Sequence, residues 1–203
     1  MKNKVNKMFI QKNNGITECY VLNKDYMELK EKYNNLLASI ESQKLKKELK
    51  LYDIVNYCNH EWYVIKIEDS GITLMSKNII VTCTYSDNNN NDFAESNCIK
   101  LLNEFTDQLN IYDLVNMSTN YDEDKQINSL IRIPTLREIE AMPMNIRECR
   151  DAYWTMTSSY GVSEECSTAS VFRVYSDGLL YSSNVNNARG VRPVIKLKTD
   201  KLL

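Results

Sequence analysis

The chain has 203 residues, 43% of them hydrophobic, and a formal net charge of −2, which suits one sizeable domain plus an appendage and excludes a wholly disordered polymer. No apolar run approaches the ~20 residues of a membrane-spanning helix, and five Gly with three Pro exclude a collagen-like or linker composition. A single histidine, His60, leaves no multi-histidine metal site and only one candidate base for a Ser-His-Asp triad.

The first 23 residues carry few apolar points, Phe9-Ile10 and Cys19 to Leu22, and read as an arm or a docking strand. From Lys24 to about Lys50 the spacing predicts a helix. Tyr26, Leu29, Tyr33, Leu36 and Ile40 recur at three and four residues, the a/d seam of a short coiled coil and the candidate oligomerisation surface. Continuing the seam would place Gln43 and Lys47 at core positions, so only about two heptads are supported. This segment, 1–50, holds 11 Lys against 6 acidic residues and is net basic by five. Its lysines are spread along the helix without clustered Arg or interleaved aromatics, so they read as a solvated face and nucleic acid is not an expected partner.

From Leu51 the pattern becomes that of strands. Segments 51–57, 61–68 and 71–85 are rich in Ile, Val and Tyr and are separated by Cys58-Asn59-His60 and Asp69-Ser70-Gly71, which predicts a β-meander. After a polar loop, Asp92 with Glu95 caps a predicted helix whose face is Ala94, Cys98, Leu101, Leu102, Phe105 and Leu109. The segment Ile111 to Met117 follows, and then 118–128 reads as a loop containing the acidic run Asp122, Glu123 and Asp124. Ile131 to Pro134 reads as a short buried strand. Thr135 with Glu138 forms a capping box that opens a helix through Met142, ended by Pro143.

The last third is again predicted as strands, at 153–159, 167–176, 178–185 and 190–198. Asp177-Gly178 fits a two-residue type I′ hairpin turn. Alternation places Val171, Arg173 and Tyr175 on one side of their strand and Phe172 and Val174 on the other, and one face is expected to be wet.

The order of these elements resembles the C-type-lectin-like domains of bacteria and their phages, a group that includes formylglycine-generating-enzyme-like folds and the variable proteins of diversity-generating retroelements. The residues that carry the resemblance are Tyr153-Trp154 with Ser158, then Ala169, Val171, Val174 and Gly178, the turn Asn184 to Asn187, and the closing Gly190-Val191-Arg192-Pro193-Val194. At the front they are Tyr63-Val64-Ile65, Leu74-Met75-Ser76 and the helix at Leu102-Asn103-Glu104-Phe105. The resemblance covers about residues 51–198. It implies an α+β fold, a C-type-lectin-like domain of mixed antiparallel sheets with two helices, occupying 51–203 behind the N-terminal arm and helix of 1–50. It also implies Trp154 as core beneath the terminal strands; Arg192, for its part, reads as a structural ion-pair partner or a cap on backbone carbonyls.

A fold does not settle function, and the family's chemistries can be compared with this chain residue by residue. Calcium lectins of the group use a Glu-Pro-Asn loop and a Trp-Asn-Asp strand. Neither motif occurs here, and the acidic run at 122–124 reads as a solvated loop. Formylglycine generators need two cooperating cysteines. Cys149 and Cys166 correspond in position alone, since their neighbours Arg-Glu-Cys-Arg-Asp and Glu-Glu-Cys-Ser-Thr do not match the catalytic surroundings, and the six cysteines read as buried reduced thiols with no two-residue spacing. Retroelement variable proteins display diversified residues on the terminal strands, where this chain has Tyr160, Tyr175, Tyr181, Asn184, Asn186 and Asn187.

Tyr and Asn supply rigid amphipathic area and adaptable hydrogen bonds, and Arg173 adds a planar donor fork, so these seven positions are the expected ligand-binding surface. The leading expectation is a noncatalytic binding or structural module of a bacteriophage or prophage virion, a homo-oligomer that attaches to a protein or glycan on a cell surface or joins other virion proteins. It would use no cofactor, no metal and no membrane insertion. The start of the chain carries lysines without the apolar stretch of a secretory signal, so assembly in the bacterial cytoplasm is expected. The alternatives are a retroelement-diversified cellular ligand-binding protein and a formylglycine-generating-like cysteine enzyme.

Overall fold

The computed structural model describes residues 5–12, 15–159 and 169–201. The chain divides into two compact units, Met1–Glu48 and Leu49–Leu203. In the first unit β1 (Val5–Lys12) and β2 (Gly15–Leu22) form an antiparallel hairpin, in register from Val5 opposite Leu22 to Lys12 opposite Gly15. The segment expected as an arm or docking strand is therefore two paired strands, joined by a connection of only two residues. β2 runs directly into α1 (Asn23–Glu48).

The second unit is α+β, built mostly of antiparallel strands. A meander of β3 (Ile54–Tyr57), β4 (His60–Glu68) and β5 (Gly71–Ser76) opens it. β6 (Val81–Thr84) follows, then α2 (Asn97–Phe105), β7 (Met117–Asn120), β8 (Gln126–Ser129) and β9 (Ile131–Arg132). Two short helices, α3 (Leu136–Ala141) and α4 (Met144–Arg147), lead to β10 (Tyr153–Ser159), β11 (Ser170–Val174), β12 (Leu180–Asn184), β13 (Ala188–Val191) and β14 (Val194–Leu197). Two five-stranded sheets result, ordered β3-β4-β5-β14-β9 and β12-β11-β10-β13-β6, and β7 pairs with β8. Within these sheets the β10–β13 pair is parallel and the others are antiparallel.

Two stretches that read as single strands each serve both sheets. The run 71–85 breaks after Ser76, so that β5 lies in one sheet and β6 in the other. The run 190–198 breaks at Arg192-Pro193, where proline has no N–H to give to a ladder, and divides into β13 and β14. The two crossings are tied together, Ser76 N–H donating to Pro193 O at 2.8 Å and Ile80 N–H to Val191 O at 3.0 Å.

Adjacent residues along these strands point to opposite faces, and here both faces are covered. Trp62, Leu74, Trp154, Val171, Val191 and Ile195 belong to one core, while Met75, Tyr153, Val174 and Val194 join Ile139, Met142 and Ile146 of the α3–α4 region in a second. The wet face expected for β11 is thus confined to its far end, because Val171 and Val174 are buried on opposite sides. A bulge in β10 between Trp154 and Ser158 adjusts the pairing, and Thr155 Oγ1 donates to Phe172 O at 2.8 Å.

Turn chemistry departs from the predicted assignment in an instructive way. Cys58 and Asn59 both have positive φ, 48° and 61°, and make the two-residue connection of β3 to β4. At the other hairpin only Gly178 is positive, at 81°. There Gly178 N–H donates to Tyr175 O at 2.9 Å and Tyr175 N–H to Leu179 O at 2.8 Å, which is a three-residue loop closed by a left-handed glycine, not the type I′ turn expected. Asp92 caps a single 3₁₀ turn, Phe93–Glu95, and the α2 cap is Ser96, whose hydroxyl accepts from Ile99 N–H. Ala94 is exposed, so the buried face runs through Phe93, Cys98, Leu102, Phe105 and Leu109. The capping box at Thr135 and Glu138 is formed.

Candidate functional site

Arg192 occupies the switch between β13 and β14 and is fully buried. Its Nε–H donates to Ser76 O at 2.9 Å, its Nη1 reaches Ile146 O and Arg147 O at 3.3 Å, and its guanidinium lies 4.7 Å from the Tyr153 ring centroid. It caps carbonyls and stacks on an aromatic ring, with no carboxylate partner among the described residues. Burial raises the Tyr153 phenol to about 12 although Arg192 works in the opposite direction. Trp154 is also fully buried and donates Nε1–H to Cys83 O at 3.1 Å. These residues hold the terminal strands in place and are closed to ligand.

The acidic run does not remain wholly in solvent. Asp122 Oδ1 accepts from Ser158 N–H at 3.1 Å and from Ser158 Oγ at 2.9 Å, tying the β7–β8 hairpin to β10, while Glu123 and Asp124 are exposed. Polar composition concealed two strands in the segment expected as a loop. Among the described residues no group of three His, Cys, Asp or Glu side chains is placed to hold a metal ion. Cys149 is a free, half-buried thiol and Cys166 lies outside the described residues. His60 packs edge-on against Phe105, with ring centroids 5.1 Å apart.

Of the seven expected surface residues, the structure brings three together. Arg173 stands opposite Tyr181 across the β11–β12 ladder, and Tyr175 follows two residues on, so all three share a face. The Arg173 guanidinium sits 5.2 Å from the Tyr175 ring centroid, and the Tyr175 and Tyr181 rings meet edge to face at 6.0 Å and 75°. Tyr175 and Tyr181 remain 44% and 48% exposed.

Asn184 stands opposite Ser170 at the other end of the ladder. Its Oδ1 accepts from Asn186 N–H at 3.0 Å, and Asn187 Nδ2 donates to Ser183 Oγ at 3.3 Å, so Asn184 and Asn187 use their side chains to build the β12–β13 turn. Tyr160 lies outside the described residues.

The end that carries Arg173 opens into a cleft of ≈ 260 Å³ whose lining includes Arg150, Asp151, Arg173, Tyr175, Ser176 and Arg189. Arg189 comes from β13 and reaches this place because Gly190 pairs in parallel with Tyr153, setting β13 on the other side of β10 from β11. Nothing in the sequence spacing indicates that pairing, so the part played by Arg189 is legible only in the structure. Neither Arg173 nor Arg189 forms an ion pair with a carboxylate among the described residues. Burial, and then the neighbouring Arg173 charge, press the Arg189 guanidinium below its ordinary value. Three arginines against one aspartate leave the cleft positive in a chain whose net charge is −2.

The N-terminal unit presents surface of another kind. Leu29, Tyr33, Leu36 and Ile40 are 52–59% exposed along α1, with Met27 and Leu37 beside them, and Tyr26 is half-buried. Glu28 and Lys32 pair at 2.8 Å across one helical turn. No helix among the described residues is long and apolar enough to cross a membrane. Comparison with protein-family models, with curated proteins and with solved structures returns no match to this chain.

Proposed function

We propose that the second unit is a C-type-lectin-like domain and that the chain is a noncatalytic recognition module, a bacteriophage or prophage virion component that attaches to a cell surface or joins virion proteins. The observation that carries the reading is the Arg173–Tyr175–Tyr181 cluster on the terminal strands, in which both tyrosines are exposed and Arg173 is half-buried. Large aromatic side chains normally find cover, and two tyrosines with an arginine stacked beside them have the composition of a contact surface. The domain assignment draws support from the opening meander, from the terminal strand that returns to pair with it, and from the buried Trp154 beneath the terminal sheet.

The helix of the first unit supplies multivalency in this account. Four of its five a/d residues, Leu29, Tyr33, Leu36 and Ile40, are exposed, and self-association would cover them and set several recognition surfaces side by side. Linked sites reach effective concentrations on the order of mM, so contacts that are weak singly can hold a particle.

The test is retention of the full chain on bacterial envelopes and on purified virion proteins, with Tyr175→Ala and Tyr181→Ala compared at matched fold. Retention of the native protein and its loss in both variants is the expected result. Absence of affinity for either material overturns the proposal, as does turnover that depends on Cys149.

A further inference from the structure

Arg173 and Arg189 each bury the Nε atom without a hydrogen-bond partner. Arg132 Nε and Arg192 Nη2 are orphaned in the same way inside the fold, so what sets Arg173 and Arg189 apart is uncompensated positive charge at the edge of a cleft, which an anion would relieve. The two guanidinium groups come from strands on either side of β10 and converge on one cleft, where like charges are held together without a protein carboxylate on either. Asp151, the one acidic residue in the lining, faces Arg150 at 4.0 Å. Planar donor forks in this arrangement match the oxygens of phosphate and carboxylate. The cleft, at ≈ 260 Å³, falls just below the about 300–1,000 Å³ of pockets that enclose a drug-sized ligand, which suits one charged group with the rest of its carrier outside.

We propose that this cleft binds an oxyanion, the phosphate or carboxylate of an acidic glycan, with Arg173 and Arg189 as donors and the Tyr175–Tyr181 pair beside the sugar ring. The choice of a glycan as carrier rests on the recognition reading above, whereas the choice of an anion rests on the two arginines. Arg173 has two functions in this arrangement: it donates to the anion and it stiffens Tyr175 by stacking on its ring. Binding is weakened by added salt, because the attraction acts at a surface open to solvent.

The experiment titrates the full chain at low salt with glucose 6-phosphate, glucuronate and glucose, reading the heat of binding and the Nε–H resonances of the arginines. Both acidic sugars should move the Arg173 and Arg189 signals and glucose should move neither. Whichever acidic sugar binds more tightly identifies phosphate or carboxylate as the group recognised. Arg173→Gln and Arg189→Gln should each weaken binding by about tenfold or more, the size expected for a hydrogen bond to a charged group. Signals unmoved by both acidic sugars in the native protein overturn the proposal without reliance on any variant, and so do folded Gln variants that bind as the native chain does.

The two readings fail separately. A chain that adheres to envelopes while indifferent to acidic sugars loses the anion site and keeps its recognition role. A chain that binds acidic sugars while adhering to nothing loses that role and keeps the anion site.

Discussion

The two units of this chain solve the burial problem differently. In Leu49–Leu203 two five-stranded sheets share segments, and apolar residues on both faces of the shared strands enter two cores. In Met1–Glu48 a two-stranded hairpin precedes a 26-residue helix on which Leu29, Tyr33, Leu36 and Ile40 stand in solvent. An isolated hairpin is marginal in water, and most helical stability in proteins comes from packing an apolar face. Leu29, Tyr33, Leu36 and Ile40 are therefore open to association, whereas the second unit gathers its apolar residues into two cores. Substitutions in the two should differ accordingly, with large folding costs in one and changes of association in the other.

Trp154→Ala should have the largest effect. The residue is fully buried on β10 and makes the Cys83 carbonyl bond, and its truncation should lower stability by about 3–5 kcal/mol in urea unfolding. Arg132→Met comes next. Arg132 is buried and grips Glu138 with Nη1 and Nη2 at 2.7 and 2.5 Å, so its loss strands a carboxylate that is 27% exposed and should cost about 3 kcal/mol.

The same pair gives a pH dependence. Burial opposes ionisation of Glu138, yet the Arg132 charge and the hydrogen bonds of Arg132 and Thr135 hold its carboxyl below the usual 4.5. A depressed carboxyl contributes stability above its unfolded value and loses it as the folded value is crossed on acidification. Stability should therefore fall as pH drops from 4.5 toward the depressed folded value, and Glu138→Gln should lessen that fall, as read from urea midpoints across the acid range.

Ser96→Ala removes the α2 cap and should cost about 1 kcal/mol. Smaller still, Leu29→Ser with Leu36→Ser should leave the unfolding of the second unit within about 0.5 kcal/mol of native, since both side chains are exposed.

Legibility in the sequence follows the same division of causes. The meander and the capping box at Thr135 were readable, because local side-chain chemistry alone decides them. The two sheet crossings were not, since alternation continues through Lys77 and Val191 and the change of partner is a tertiary event. The hairpin at β7–β8 was hidden because Ser, Thr, Asn and Gln dominate it. Asp177-Gly178 suits either of two hairpin loops, whereas Cys58-Asn59 adopts the positive-φ pair without any glycine. At the site, Arg173, Tyr175 and Tyr181 were readable because they lie on one hairpin. Arg189 required the parallel pairing of β10 with β13, and the separation of Asn184 from the cleft required the register of β11 with β12.

The solution mass of the full chain and of the Leu29→Ser/Leu36→Ser variant, measured by light scattering on a sizing column, bears most directly on the contrast between the units. The account predicts a multiple of 23.6 kDa for the native chain and 23.6 kDa for the variant, with the second unit folded in both. A mass of 23.6 kDa for both proteins would contradict it.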